Sequence, residues 1–197
     1  MEELISDSLN VAQKHKVFIA INLSNIGKDF IQSVSTRIQE MGVIADYEPP
    51  SKFHLTLAFL GERSIEDCKN ITKALDAIGD RMPTFVLPLT TVRKFPHGAV
   101  WVGPSRKIDS YNQACGIVSD ELKLFGIKVP RTGTPHVTIC KLHDKADRIP
   151  YLDDLGKHEV CVDSLHLLET VKSPEGLSKY IVRKRVPLVG RVQTLER

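Results

Sequence analysis

Cysteine is scarce in this chain: Cys68, Cys115, Cys140 and Cys161 are the only four among 197 residues. None stands close enough to another for a Cys-x-x-Cys pair, so zinc-site spacing is absent. A disulfide framework is not expected in a chain of this size without a secretory signal. The four read as reduced, mostly buried thiols. The first residues, MEELISDSLNVAQKHK, open on Glu2 and Glu3 and hold no long apolar run, so they do not read as a secretory signal. No stretch approaches the ~18 apolar residues of a membrane span. Cytosol is the default expectation, with no membrane partner. A strong charge bias is also missing. The 27 basic and 24 acidic residues leave a net charge of +3, too little to argue nucleic-acid binding by itself. Local clusters carry more information: Arg93-Lys94, Arg106-Lys107 and Arg183-Lys184-Arg185. Low-complexity stretches and a clear linker are absent too.

What is present is an alternation of short strands and amphipathic helices. Val17 to Leu23 is β-branched and apolar and reads as a buried strand. Ser24 and Asn25 supply helix-cap chemistry, Phe30, Ile31, Val34, Ile38 and Met41 follow at helical spacing, and Gly42 ends the run. Pro49-Pro50 forces an extended lead into the next strand, which closes at Gly61. Ser64 with Asp67 resembles a capping box, ahead of a helix bearing Ile65, Cys68, Ile71, Leu75 and Ile78 on one face. Thr84 to Val92 and Ala99 to Gly103 read as strands about a turn at Pro96-His97-Gly98. A third helix carries Ile108, Tyr111, Cys115, Val118, Leu122 and Phe125, with Gly126 as its stop. Another strand follows, then a polar, irregular stretch from 143 to 157. Val160 to Leu168 and Lys179 to Leu188 close the chain as a strand pair. The expected organisation is an N-terminal extension (1–15), one bilobal domain (16–190) and a C-terminal tail (191–197).

One pattern occurs twice. FHLTLAFLG at 53–61 and PHVTICKL at 135–142 both read His-apolar-Thr-apolar. Alternate side chains of a strand share a face, so His54 and Thr56 point the same way, about 6.6 Å apart. His136 and Thr138 repeat the arrangement, with Leu55, Leu57, Val137 and Ile139 turned to apolar packing. If the strands lie side by side, two imidazoles and two hydroxyls line one cleft. A neutral imidazole takes a proton from an attacking oxygen and a charged one returns a proton to a leaving oxygen. Threonine hydroxyls donate to the phosphoryl oxygens on which charge collects. A single His-x-Thr is usually structural; the second copy makes the case. Two histidines without a third ligand at a telling spacing do not define a zinc site, and no nucleophile elbow is present.

These motifs resemble the 2H phosphoesterase superfamily, and within it the LigT-like RNA 2′,3′-cyclic phosphodiesterases, also called 2′-5′ RNA ligases. KVFIAINL (16–23), YEPPSKFHLTLAFLGE (47–62), FPHGAVWVG (95–103), TPHVTICKL and LHLLETVKSPEGLSKYIVRKRVPL (165–188) are similar to successive family blocks. The resemblance implies an α+β, bilobal fold: two antiparallel sheets flanked by helices around a central cleft, as pseudo-two-fold duplicated lobes. It implies His54 and His136 as the catalytic pair and Thr56 and Thr138 as phosphate-binding residues. It further implies metal- and cofactor-free opening of 2′,3′-cyclic phosphates on RNA ends or nucleotides to 2′-phosphates, one histidine serving as base and the other as acid; the resemblance does not settle which, and His136 is taken here as the base and His54 as the acid. A monomer is expected. The alternatives are a nucleotide- or RNA-binding module without turnover, and 2′-5′ joining of RNA ends. Two positions depart from the family pattern: Tyr47 replaces a frequent Trp, and Lys141 replaces a frequent Arg at a position that meets phosphate. Arg131 stands close enough to compensate. Phe18, Tyr47 and Phe53 are further candidate substrate contacts. Trp101 and Tyr180 read as packing residues, His97 as a solvated turn residue, and His166 as facing either cleft or solvent.

Overall fold

The computed structural model describes residues 14–130, 133–150, 152, 155–156 and 158–189. The expectations for residues 1–13, for Arg131 and for the 191–197 tail lie outside the described residues. The strands are β1 (His15–Asn22), β2 (Ala45–Tyr47), β3 (His54–Arg63), β4 (Phe85–Leu89), β5 (Thr91–Lys94), β6 (Ala99–Gly103), β7 (Val137–Leu142), β8 (His158–Val162), β9 (Ser164–Lys172) and β10 (Ser178–Pro187). The helices are α1 (Asn25–Glu40), α2 (Ile65–Gly79) and α3 (Asp109–Leu124). Both expected caps are made. Ser24 Oγ accepts from the Gly27 amide, and Ser64 and Asp67 form a reciprocal capping box.

Two four-stranded sheets, in the orders β10-β9-β1-β3 and β2-β7-β6-β5, carry the two His-x-Thr strands. All pairings within them are antiparallel. The fold is therefore the expected mixed one with two antiparallel sheets and flanking helices. The duplication is visible as β1-α1-β3 against β6-α3-β7: in each, a strand and a helix return as a strand antiparallel to the first. Each helix nevertheless packs on the opposite half's His-x-Thr strand, α1 against β7 and α3 against β3. α2 lies against β3, β9, β10 and α3. One continuous apolar core results, running from Ile19, Ile31 and Leu55 to Val102, Val118 and Ile139. Burying a side chain of this size stabilises by about 1.5–3 kcal/mol, so neither half would keep its helix face covered alone. Fully buried Tyr111 on α3 ties the halves together, its hydroxyl donating to the Thr56 carbonyl at 2.7 Å.

Two expected strands are interrupted. The run 84–92 breaks at Thr90, and the run 160–168 breaks at Asp163, which separate β4 from β5 and β8 from β9. The freed pieces β4 and β8 pair as a small third sheet. Short apolar runs do not reveal such breaks, because a bent strand keeps its apolar composition. The four cysteines are free; Cys115 and Cys140 are buried, while Cys161 is exposed.

Gly103 ends β6 where the segment leading into His136 crosses it. A Cβ there would stand 2.5 Å from the Pro135 carbonyl oxygen and 2.9 Å from the Trp101 ring. Gly103→Ala is expected to cost about 1–3 kcal/mol through overpacking. It should also lower turnover by displacing Pro135 and with it His136. Denaturant titration alongside steady-state kinetics checks both.

Candidate active site

His54 opens β3 and His136 immediately precedes β7. Each imidazole is anchored in the same way. His54 Nδ1 donates to the Lys52 carbonyl at 2.6 Å, and His136 Nδ1 donates to the Thr134 carbonyl at 2.7 Å. A carbonyl only accepts, so each bond selects the Nδ1–H form and leaves Nε2 as the ring nitrogen able to accept a proton. Each ring is also flanked by two aromatics. His54 lies 5.0 Å from Phe18 and 5.1 Å from Tyr180, ring centroid to centroid. His136 lies 4.9 Å from Phe95 and 6.1 Å from Trp101.

The two histidines, Thr56 and Thr138 line one cavity of about 170 Å³, together with Glu48, Lys52, Phe59 and Tyr180. Thr56 is buried and Thr138 half-buried. Burial pushes the pKa of both imidazoles below the ordinary histidine value. The carbonyl bonds pull both back up. The remaining influences differ. For His54, the His136 charge lowers the pKa and the Glu48 carboxylate raises it. For His136, His97 lowers it further. His97 is exposed, as expected of a turn residue, and stacks on Phe95.

A β-bulge follows each threonine. On β3, Ala58 pairs with Ile19 and Thr56 with Ala20, which leaves Leu57 as the extra residue. On β7, Cys140 pairs with Val100 and Thr138 with Trp101, which leaves Ile139 as the extra residue. Each bulge reverses the in-out alternation beyond it. Phe59 therefore joins the cavity face in one half, and Lys141 occupies the corresponding place in the other. The two residues differ in position relative to the cavity. Phe59 lines it, whereas Lys141 is exposed, pairs with Ala99 and Asp46, and is not among the lining side chains. The cation that does line the cavity is Lys52, held 3.1 Å from Glu48.

The other candidate contacts sort by burial. Phe53 is only 1% exposed within the main core, so it offers substrate no surface and corrects the expectation of a contact there. Phe18 is buried behind His54 and orients that ring. Tyr47 is half-buried, donates to the Val43 carbonyl at 2.9 Å, and lines a neighbouring groove instead. Trp101 lies outside the main core on the His136 face, opposite Thr138. His166 shares the sheet face of Thr56 through their common partner Ala20, but it is buried and does not line the cavity, and burial chiefly lowers its pKa. Sequence reasoning missed Glu48, Lys52, Phe59 and Phe95. The first two flank the Pro49-Pro50 turn at a spacing of four, a signal for a shared pair.

No group of three or more His, Cys, Asp or Glu side chains among the described residues is arranged to hold a metal ion. Burial pushes the Cys140 thiol up to about 12, so it is no nucleophile at neutral pH.

Two antiparallel sheets, each carrying one His-x-Thr strand, make a fold that this chain shares with LigT. The model of the LigT like Phosphoesterase family matches residues 29–101, which bears out the likeness to the 2H superfamily. An RNA 2′,3′-cyclic phosphodiesterase of Thermotoga maritima is 24% identical over 171 residues, covering 82% of this chain and 89% of the relative. LigT of E. coli in its apo form shares the fold with a TM-score of 0.75 at 23% identity, over 90% of this chain and 99% of LigT. A Thermus thermophilus protein gives a TM-score of 0.76 at 20% identity, over 89% of this chain and 98% of its own. No helix among the described residues is long and apolar enough to cross a membrane.

Proposed function

We propose that this chain hydrolyses 2′,3′-cyclic phosphates on RNA ends or nucleotides to 2′-phosphates by two-histidine acid–base catalysis without a metal. The observation that carries this reading is the paired anchoring: two Nδ1–H groups committed to backbone carbonyls, two Nε2 atoms left for one small cavity, and a threonine beside each. The likeness to LigT-like phosphoesterases and to a named RNA 2′,3′-cyclic phosphodiesterase supports it, and a LigT structure with 3′-AMP bound supports a nucleotide as ligand, without bearing on which phosphate is formed.

In the proposed reaction, water attacks phosphorus while neutral His136 Nε2 accepts its proton. The bond from phosphorus to the ribose 3′-oxygen breaks, and His54 Nε2–H supplies the proton that oxygen needs. The new hydroxyl oxygen stays on phosphorus, the phosphate stays on the 2′-oxygen, and solvent exchange resets both rings. Thr56 and Thr138 donate to the non-bridging oxygens. Burial disfavours a proton on either ring; against it and the His136 charge, Glu48 works to keep His54 protonated, whereas His97 adds to burial in keeping His136 neutral.

The test is the product formed from a 2′,3′-cyclic nucleotide in the presence of EDTA. A 2′-phosphate is expected; a 3′-phosphate, or no turnover, sinks the proposal. The kcat/KM profile should be bell-shaped, because the base must be neutral and the acid protonated in free enzyme. Both pKa values are lowered, so the optimum should lie on the acid side of the usual imidazole value of about 6.5. Glu48→Gln removes a charge that holds His54 protonated. The descending limb should therefore move to lower pH, while the ascending limb, set by His136, stays in place.

A further inference from the structure

Resting on the reading of the cavity as a two-histidine phosphodiesterase site, we infer that Lys52 is a catalytic residue that exchanges partners. It leaves the Glu48 carboxylate for a non-bridging oxygen of the bound phosphate, and Glu48, no longer neutralised, then holds the proton on His54. Lys52 lines the cavity with both histidines and both threonines, and among the described lining residues it is the only one with a permanent positive charge. Lys141, the cation expected from the sequence, is exposed and outside the lining. The Lys52 ammonium stands 3.1 Å from Glu48, which lines the same cavity. The segment 48–52 that carries both is fixed at its two ends. The Glu48 amide donates to the carbonyl of Ile139, the bulged residue of β7, at 2.9 Å, and the Lys52 carbonyl accepts from His54 Nδ1 at 2.6 Å. Pro49 and Pro50 stiffen the stretch between them, and the Lys52 amide closes a turn on the Pro49 carbonyl. The backbone is therefore held while the two side chains stay free to change partner.

Both side chains are half-buried. A pair of that kind opens easily, because water solvates the carboxylate that loses its partner. Phosphate offers the ammonium more than Glu48 does. Charge builds on its non-bridging oxygens during the reaction while the charge on Glu48 stays the same, so the new contact strengthens in the transition state. Phe59 and Tyr180 in the lining keep water from part of the cavity, which strengthens the contact further. The carboxylate left behind has three titratable neighbours. Burial chiefly, and then Glu48, raises the pKa of Tyr180 on β10 and of Cys140 on β7. Both stay uncharged near neutrality whether or not Lys52 is in place. His54 is the neighbour that titrates there: burial lowers its pKa, and Glu48 works against burial and the His136 charge. On its outer side Glu48 adjoins Asp46, Glu175 and Lys179, all exposed and screened by water. Phosphate reaching Lys52 thus arms the acid only when substrate is in place.

The test uses wild type, K52M, K52R and K141M. All four keep the backbone carbonyl that anchors His54, and thermal melts verify that they fold. The probe is inorganic sulfate, a tetrahedral dianion whose charge is constant across the histidine range. Calorimetry should show sulfate bound about tenfold or more weakly by K52M, the usual worth of a hydrogen bond to a charged group, with K52R close to wild type. Equal binding by K52M, or a loss confined to K141M, would overturn the inference. Histidine NMR titrations add a readout that a merely structural lysine would not move. Without sulfate, His54 should titrate at higher pH in K52M than in wild type, because Glu48 already lacks its partner. Saturating sulfate should then raise His54 less in K52M than in wild type, while His136 rises equally in both. Weaker sulfate binding with an unmoved His54 would also overturn the exchange. Neither measurement needs turnover. If cyclic nucleotides are not hydrolysed, the hydrolase reading fails on its own, and the sulfate and NMR results still decide the role of Lys52.

Discussion

His54→Ala and His136→Ala are each expected to lower kcat/KM by about 10²- to 10⁴-fold, the usual worth of a positioned general acid or base. The double variant should lose much less than the product of the two, because groups that act in one step are not additive. The two single variants should part on a substrate whose leaving group departs without a proton. With a p-nitrophenyl phosphodiester, His54→Ala should recover most of its loss, since the acid has little left to do. His136→Ala should stay slow, because water still needs a base. The reverse pattern would exchange the two roles. Both rings are packed between aromatics, Phe18 and Tyr180 around one and Phe95 and Trp101 around the other. Thermal melts must therefore accompany the kinetics. His→Gln variants, which keep more of the ring's volume, should show the same losses if chemistry rather than packing is responsible.

Thr56→Val and Thr138→Val are expected to lower kcat by about 10²- to 10³-fold each, as the loss of one donor to a charge-bearing oxygen does in other sites. The loss belongs in kcat, because the hydroxyl bonds strengthen as charge collects on the non-bridging oxygens. A rise in KM at constant kcat would mean the threonines merely bind phosphate. Thr→Ser keeps the hydroxyl and should restore most activity. The two sites should differ in one respect. Thr56 is 5% exposed and its carbonyl is held by Tyr111, so Thr56→Ser also opens a methyl-sized void and costs stability. Thr138 is half-buried, and its serine variant should fold like wild type.

The site was legible where local rules govern it. Helix α2 could be read from Ser64, Asp67 and the spacing of Ile71, Leu75 and Ile78, because a capping box and a 3.6-residue period are properties of the segment alone. His54 with Thr56, and His136 with Thr138, could be paired because a strand turns alternate residues to one face. Phe53 and Lys141 were harder for a shared reason. Adjacency in sequence to His54 says nothing about whether the ring at 53 is swallowed by the core. Distance along β7 from Thr138 depends on the bulge at Ile139, which exists only in register with β6.

Taken alone, the sequence determined the three helices, the two His-x-Thr faces and the kind of chemistry those faces suit, since each follows from period, caps and side-chain type within a few residues. Tertiary structure alone decided the rest. It exchanged α1 and α3 between the halves, broke two strands at Thr90 and Asp163, and turned Phe59 toward the cavity. It also put Lys52 rather than Lys141 in the lining, and set Glu48 near one histidine and His97 near the other. Those outcomes depend on cross-strand register and on which apolar faces are buried together. Both are settled by partners far away in the chain, and no local window contains them.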